Sequence, residues 1–132
     1  PTTALDVTIQ KQILTLLNDL RKSKKMSLIL VSHDLAVIAE NTDRIAVMYA
    51  GEIVEQGPSM QVIERPHHPY TEGLLKCLPS QYEVKDSDFR LPTIPGIVPD
   101  LSNRPSGCQL APRCSYKKEL CEQGFVPVIG SK

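Results

Sequence analysis

Ser27-Leu28-Ile29-Leu30-Val31-Ser32-His33-Asp34-Leu35, residues 27–35, decides how the rest of the chain is read. Leu28 to Val31 form an apolar run without alternation. A strand covered on both faces has no wet side to encode. Such a run therefore predicts a strand of a parallel sheet inside an α/β domain. Asp34 then opens a second periodicity, Leu35, Val37 and Ile38, and reads as the N-cap of a following helix. His33 is thereby predicted at the carboxyl end of a buried strand, the edge of an open α/β sheet along which ligands collect. That position makes His33 a functional candidate; a histidine that merely satisfies polar groups at a strand end is the plainer alternative. Ser32, His33 and Asp34 are not a hydrolase triad, because neighbours on a strand point to opposite faces and cannot converge on one atom.

Upstream, Pro1 to Asp6 is a turn-like lead into an amphipathic run in which Ile9, Ile13, Leu16, Leu17 and Leu20 recur at helical spacing. Asp6 is its natural N-cap, and Arg21, Lys22, Lys24 and Lys25 gather at the far end, where the helix dipole favours cations. The basic cluster reads as a solvated helix end. Downstream, the helix opened by Asp34 should run to about Glu40 and break at Asn41-Thr42-Asp43. Arg44–Tyr49 is the next strand, Ala50-Gly51 a turn, and Glu52–Gln56 an alternating strand with one wet face, closed by Gly57-Pro58. Ser59–Glu64 is a short helix ended by Pro66, and Pro69 sits in the first turn of a helix to about Leu78. Residues 79–105 are expected to be mostly loop, because the spaced prolines of LPTIPGIVPDL forbid helix. The chain shows no internal repeat.

Composition narrows the classes. The 132 residues suit one ordinary domain, and 15 basic against 15 acidic side chains leave no field to draw the chain to nucleic acid. An aromatic fraction of 5% without Trp offers little for stacking on bases. No apolar run approaches the roughly 20 residues that span a bilayer, and the amino terminus carries no signal-peptide pattern. Four cysteines without such a signal suggest reduced thiols or metal ligands rather than a disulfide framework.

PTTALDV before a helix, an apolar strand ending in SHD, then RIAVMYAGEIVEQG resembles the carboxyl-terminal part of ATP-binding-cassette ATPases. HHPYTEGLLKCLP, LPTIPGIVPDL and GCQLAPRCSYKKELC narrow the resemblance to the ATP-binding subunits of oligopeptide/dipeptide and nickel importers. It implies an α/β chain. Residues 1–65 would be the carboxyl-terminal part of a P-loop NTPase domain, and residues 66–132 a loop-rich, cysteine-containing extension. Asp6 matches the D-loop aspartate that couples two nucleotide sites across a dimer. His33 matches the switch histidine that hydrogen-bonds the γ-phosphate. The resemblance implies ATP with Mg²⁺ as cofactor and a second ATPase subunit, identical or not, as partner. It also implies transmembrane permease subunits, indirectly a peptide-binding protein, and work at the cytoplasmic face of a bacterial or archaeal membrane.

The sequence contains no G-x-x-x-x-G-K-[ST] phosphate loop and no LSGGQ-type signature, and the family's Asp-Glu pair would precede Pro1. Without backbone N–H groups and a Lys to hold phosphates, these residues alone are not expected to turn over ATP. Deprived of sheet neighbours, residues 28–31 should expose an apolar patch.

Cys108, Cys114 and Cys121 are spaced so that three thiolates could surround one metal. Similar cysteines hold a [4Fe-4S] cluster in some members of the family, with a fourth ligand further downstream; unligated thiols are the alternative. His67 and His68, between Pro66 and Pro69, read as helix-start residues rather than metal ligands. Two readings of other classes stay open: a non-catalytic regulatory or iron–sulfur interaction module, and an inert remnant.

Overall fold

Asp6 starts the first helix as its sequence predicts. Its carboxylate accepts the Thr8 backbone N–H at 3.3 Å, satisfying one of the donors that open every helix. This helix, α1 (Val7–Lys24), ends at Lys25, whose left-handed backbone (φ 52°) returns its N–H to the Arg21 and Lys22 carbonyls. The computed structural model describes residues 6–78 and 90–124, which belong to two units, Pro1–Asp43 and Arg44–Lys132. Expectations for residues 1–5, 79–89 and 125–132 lie outside the described residues.

In the first unit, α1 turns inward a stripe of Gln10, Ile13, Leu14, Leu17, Asn18 and Arg21, with Leu14 only 6% exposed. Ile9, Leu16 and Leu20, part of the stripe expected from sequence, stay exposed. Polar ties explain the rotation: Asn18 Nδ2 donates to Asn41 Oδ1 at 3.0 Å, and Arg21 pairs with Asp43 at 2.8 Å. The second helix, α2 (Leu35–Asn41), is capped by Asp34, whose carboxylate accepts from Ala36 and Val37 N–H at 2.9 and 3.3 Å. At its end, Asn41 and Thr42 side chains donate to the Val37 and Ile38 carbonyls.

The strand expected at residues 28–31 does not form. Residues 26–32 carry no helix or strand, and Ile29 and Val31 are 91% and 85% exposed. Half-burial of Leu28 and Leu30 alternates with these, the period of an extended chain. A parallel strand takes its hydrogen bonds from neighbours, and among the described residues no strand lies beside this one.

The second unit is built on a hairpin of β1 (Arg44–Tyr49) and β2 (Glu52–Pro58), an antiparallel two-stranded sheet. Ile45, Val47 and Tyr49 point inward while Arg44, Ala46 and Met48 face solvent. Ala50 and Gly51 form a two-residue tip with positive φ at both positions, 47° and 81°. Val47 pairs with Glu55 but Met48 with Ile53, so Val54 is an extra residue, a bulge. The strand runs past Gln56 because Gly57 and Pro58 still pair with Ile45 and Arg44; an edge strand tolerates the proline. A Cβ on Gly57 would lie 3.2 Å from Val62 Cγ2, so the missing side chain lets α3 (Ser59–Glu64) bury Val62 against the sheet. The next helix, α4 (Pro69–Lys76), buries Thr71 and Leu75. Residues 90–105 contain no helix or strand, and two short 3₁₀ helices, Ala111–Arg113 and Glu119–Glu122, complete the described chain. The core is Ile45, Val47, Tyr49, Val62, Leu75, Leu110 and Ala111. Each large member contributes about 1.5–3 kcal/mol by leaving water.

Candidate functional site

His33 lies between the apolar run and α2, exposed to solvent. The turn around it is fixed by its neighbours: Ser32 Oγ accepts the Asp34 N–H at 3.0 Å, and Asp34 caps α2. The imidazole is thus presented on an ordered turn, able to give or take a hydrogen bond from a ligand. Asp6 is also exposed, with its carboxylate engaged at the start of α1.

Two side chains to which sequence reasoning gave no role organise the second unit. Glu55, with a side chain 8% exposed, accepts the backbone N–H groups of His67 and His68 at 2.8 and 3.1 Å, one on each oxygen. The bulge at Val54 accounts for this aim, since it leaves Val54 and Glu55, consecutive residues, both half-buried. His68 in turn caps α4, its Nδ1 accepting the Tyr70 N–H at 3.1 Å, in keeping with the helix-start reading. That bond needs a neutral Nδ1. Burial pushes the His68 pKa below its ordinary value, against the opposing pull of the Glu55 carboxylate.

Arg113 is the second. Its guanidinium donates to the Pro95 carbonyl at 2.6 Å, the Ile94 carbonyl at 3.0 Å and the Tyr49 hydroxyl at 3.2 Å, and lies 5.9 Å from the Tyr49 ring centroid. Tyr49 stacks at a tilt on Tyr70, ring centroids 4.6 Å apart. One cation thereby joins the hairpin, the proline-rich segment and the cysteine loop. Ile94 fills the space a side chain on Gly73 would need, with its Cγ1 and Cδ1 3.0 Å from where that Cβ would stand. Between α4, residues 92–96 and residues 110–116 lies a groove of about 420 Å³ whose lining includes Cys77, Arg113, Cys114 and Tyr116.

Cys108, Cys114 and Cys121 are each half-buried in the loop that follows residues 90–105. Among the described residues no three His, Cys, Asp or Glu side chains gather as a metal site. Cys108 donates its N–H to the Cys121 carbonyl at 2.8 Å and accepts from Ala111 N–H at 2.9 Å, while Cys114 donates to the Ala111 carbonyl at 3.4 Å and accepts from Lys117. Four thiolates are needed for a [4Fe-4S] cluster; the described residues do not bring such a set together.

The family model described as "Oligopeptide/dipeptide transporter, C-terminal region" matches residues 54–121, from the bulge of the hairpin through the last cysteine. The chain belongs to this transporter family. A relative in Brucella melitensis, named for peptide import and ATP binding, is 53% identical over 121 residues, 92% of this chain and 36% of its own length. The dipeptide transport ATP-binding protein DppD of Haemophilus influenzae is 54% identical over 123 residues, 93% of this chain and 36% of its own. A Brucella ovis protein with the same kind of peptide-import name is 50% identical over 131 residues, covering 97% of this chain and 39% of its own. The chain therefore spans little more than a third of the length of the curated relatives it matches. The family match contains Glu55, Arg113 and all three loop cysteines. Glu55 and Arg113 were illegible as organising groups because each acts on backbone atoms far away in sequence. An acidic residue directly after the apolar pair Ile53-Val54, out of step with strand alternation, was the available signal.

Proposed function

We propose that this chain is part of the ATP-binding subunit of an importer of oligopeptides or dipeptides, with residues 1–65 belonging to its ATPase domain and 66–132 to its extension. The observation that carries the reading is similarity over nine tenths of the chain to proteins named for ATP binding in peptide import. Mg-ATP, when bound to the complete subunit, supplies the phosphoryl bond whose hydrolysis drives transport. His33 is the residue of this chain that senses the terminal phosphate, and its solvent-facing place on a capped turn supports that role. Asp6 serves communication with the second ATPase subunit through its exposed position ahead of α1. Permease subunits and, indirectly, a peptide-binding protein complete the assembly at the cytoplasmic face of the membrane. No described helix is long and apolar enough to cross a bilayer.

Substituting His33→Ala in the complete subunit tests the assignment. Hydrolysis should fall at least tenfold with nucleotide affinity held within a few-fold, as expected for a group that acts on the reacting phosphate rather than on binding. Unchanged turnover removes His33 from the mechanism.

A further inference from the structure

We propose that Ser32 is a positioning residue for His33, its hydroxyl holding the turn that presents the imidazole to the terminal phosphate. The proposal rests on the role assigned to His33 above. Ser32 Oγ accepts the Asp34 backbone N–H at 3.0 Å, two positions along the chain. Such a bond mimics the backbone bond that closes a turn, and the one residue it spans is His33. The Asp34 carboxylate makes the next ties, accepting the Ala36 and Val37 N–H groups at 2.9 and 3.3 Å. Ser32, Asp34 and the first turn of α2 thus form one relay of side-chain-to-backbone bonds, with the imidazole carried on it.

Burial separates the two roles. Val31 and His33 are exposed whereas Ser32 and Asp34 are half-buried, so accessible and sheltered residues alternate through the turn. The sheltered hydroxyl works through the peptide, and the accessible ring is the group that meets a ligand. Upstream the chain gives His33 little support, since residues 26–32 carry no helix or strand. Among the described residues no other hydrogen bond reaches residues 31–33. The Ser32 bond therefore decides how firmly the ring is aimed. Phosphoryl transfer depends on groups held in place before the reaction, and a displacement of about 1 Å can cost about 100-fold in rate. Asp34 is the poorer probe of this relay, because removing its carboxylate uncaps α2 itself.

Steady-state hydrolysis of Mg-ATP by the complete subunit tests the proposal. Ser32→Ala should lower kcat about three- to tenfold, the range that one net hydrogen bond supports. KM should stay within about twofold, because the bond serves the reacting phosphate rather than nucleotide binding. Ser32→Thr keeps the hydroxyl and should recover most of the parent rate. Ser32→Val has the shape of threonine without the hydroxyl and should match the alanine variant, so the threonine–valine pair reads the bond even where alanine weakens the fold. The loss should also require the imidazole. In a His33→Ala background, Ser32→Val should change kcat by less than about twofold, as two residues acting as a unit do. A residue that only supports the fold would lower both backgrounds alike.

The proposal is overturned by a parent-like kcat in Ser32→Val, by a loss that appears in KM alone, by equal losses with and without the imidazole, or by a threonine variant no better than valine. His33→Ala tells the failures apart. If turnover falls there but holds in Ser32→Val, only the positioning role is lost; unchanged turnover in His33→Ala removes both roles.

Discussion

Residues 6–43 and residues 44–124 are both rich in apolar side chains, yet they spend them differently. Among the described residues of the first unit Leu14 alone is buried, while Ile9, Leu16, Leu20, Met26, Ile29 and Val31 remain exposed. In the second, the hairpin, α3, α4 and the cysteine loop bury residues from Ile45 to Ala111 around one core. Length and composition do not explain the contrast; interlocking does. The first unit is held by helix caps and two side-chain ties, Asn18–Asn41 and Arg21–Asp43. The second has half-buried groups that reach across the sequence to backbone atoms, Glu55 to His67 and His68, and Arg113 to Ile94 and Pro95. A domain gains cooperativity from such long-range ties, and a region without them relies on whatever else covers it.

The largest effect that would break this comparison comes from Arg113. Arg113→Ala should destabilise the second unit by about 2–3 kcal/mol, because charged hydrogen bonds are among the stronger ones and their carbonyl partners would be left unpaired. Arg113→Lys should recover little, since an ammonium cannot reproduce the planar fork. Denaturant unfolding reports both; a lysine variant as stable as the parent would mean that the guanidinium is not the clamp.

A smaller effect follows from the His68 cap. With its pKa lowered by burial, His68 is held neutral in the folded state and binds its proton more readily when unfolded. Its contribution is thus complete above the ordinary value of 6.5 and is lost as pH falls through the lower folded value. Amide exchange in α4 should speed up across that window, and His68→Asn, which keeps a capping acceptor, should flatten the dependence at a cost of less than about 1 kcal/mol. A pH profile unaltered by the asparagine would assign the effect elsewhere.

The smallest expected effect sharpens the contrast from the other side. Leu16→Gln, at a position 59% exposed, should change stability by no more than about 0.5 kcal/mol, well below the loss expected of Arg113→Ala in the second unit. Equal losses would mean that the exposed stripe of α1 is packed in solution.

What could be read from the sequence was local. Asp6, Asp34 and Pro69 announce three helix starts because caps and N1 prolines act within three residues, and Ala50-Gly51 between two strand patterns announces the hairpin. The misreadings were non-local. Leu28 to Val31 have the composition of a buried strand, but composition does not supply the neighbours that would pair with it. The face α1 turns inward was set by Asn41 and Asp43, more than twenty positions away. His33 was legible as a residue just ahead of a helix start, because Asp34 beside it is the cap, whereas the strand expected to lead into it was not there.

The hairpin tip carries one last implication. Ala50 is held at φ 47°, a region where a Cβ crowds its own carbonyl and where asparagine or glycine would rest more easily. The corner is therefore a strained hinge kept bent by the strands it joins, rather than a template that tells them where to pair. Alignment of the ribbon is dictated instead by its lining, by Val62 seated over Gly57 and by the inward carboxylate beyond the bulge, so that the far end of the hairpin governs its tip.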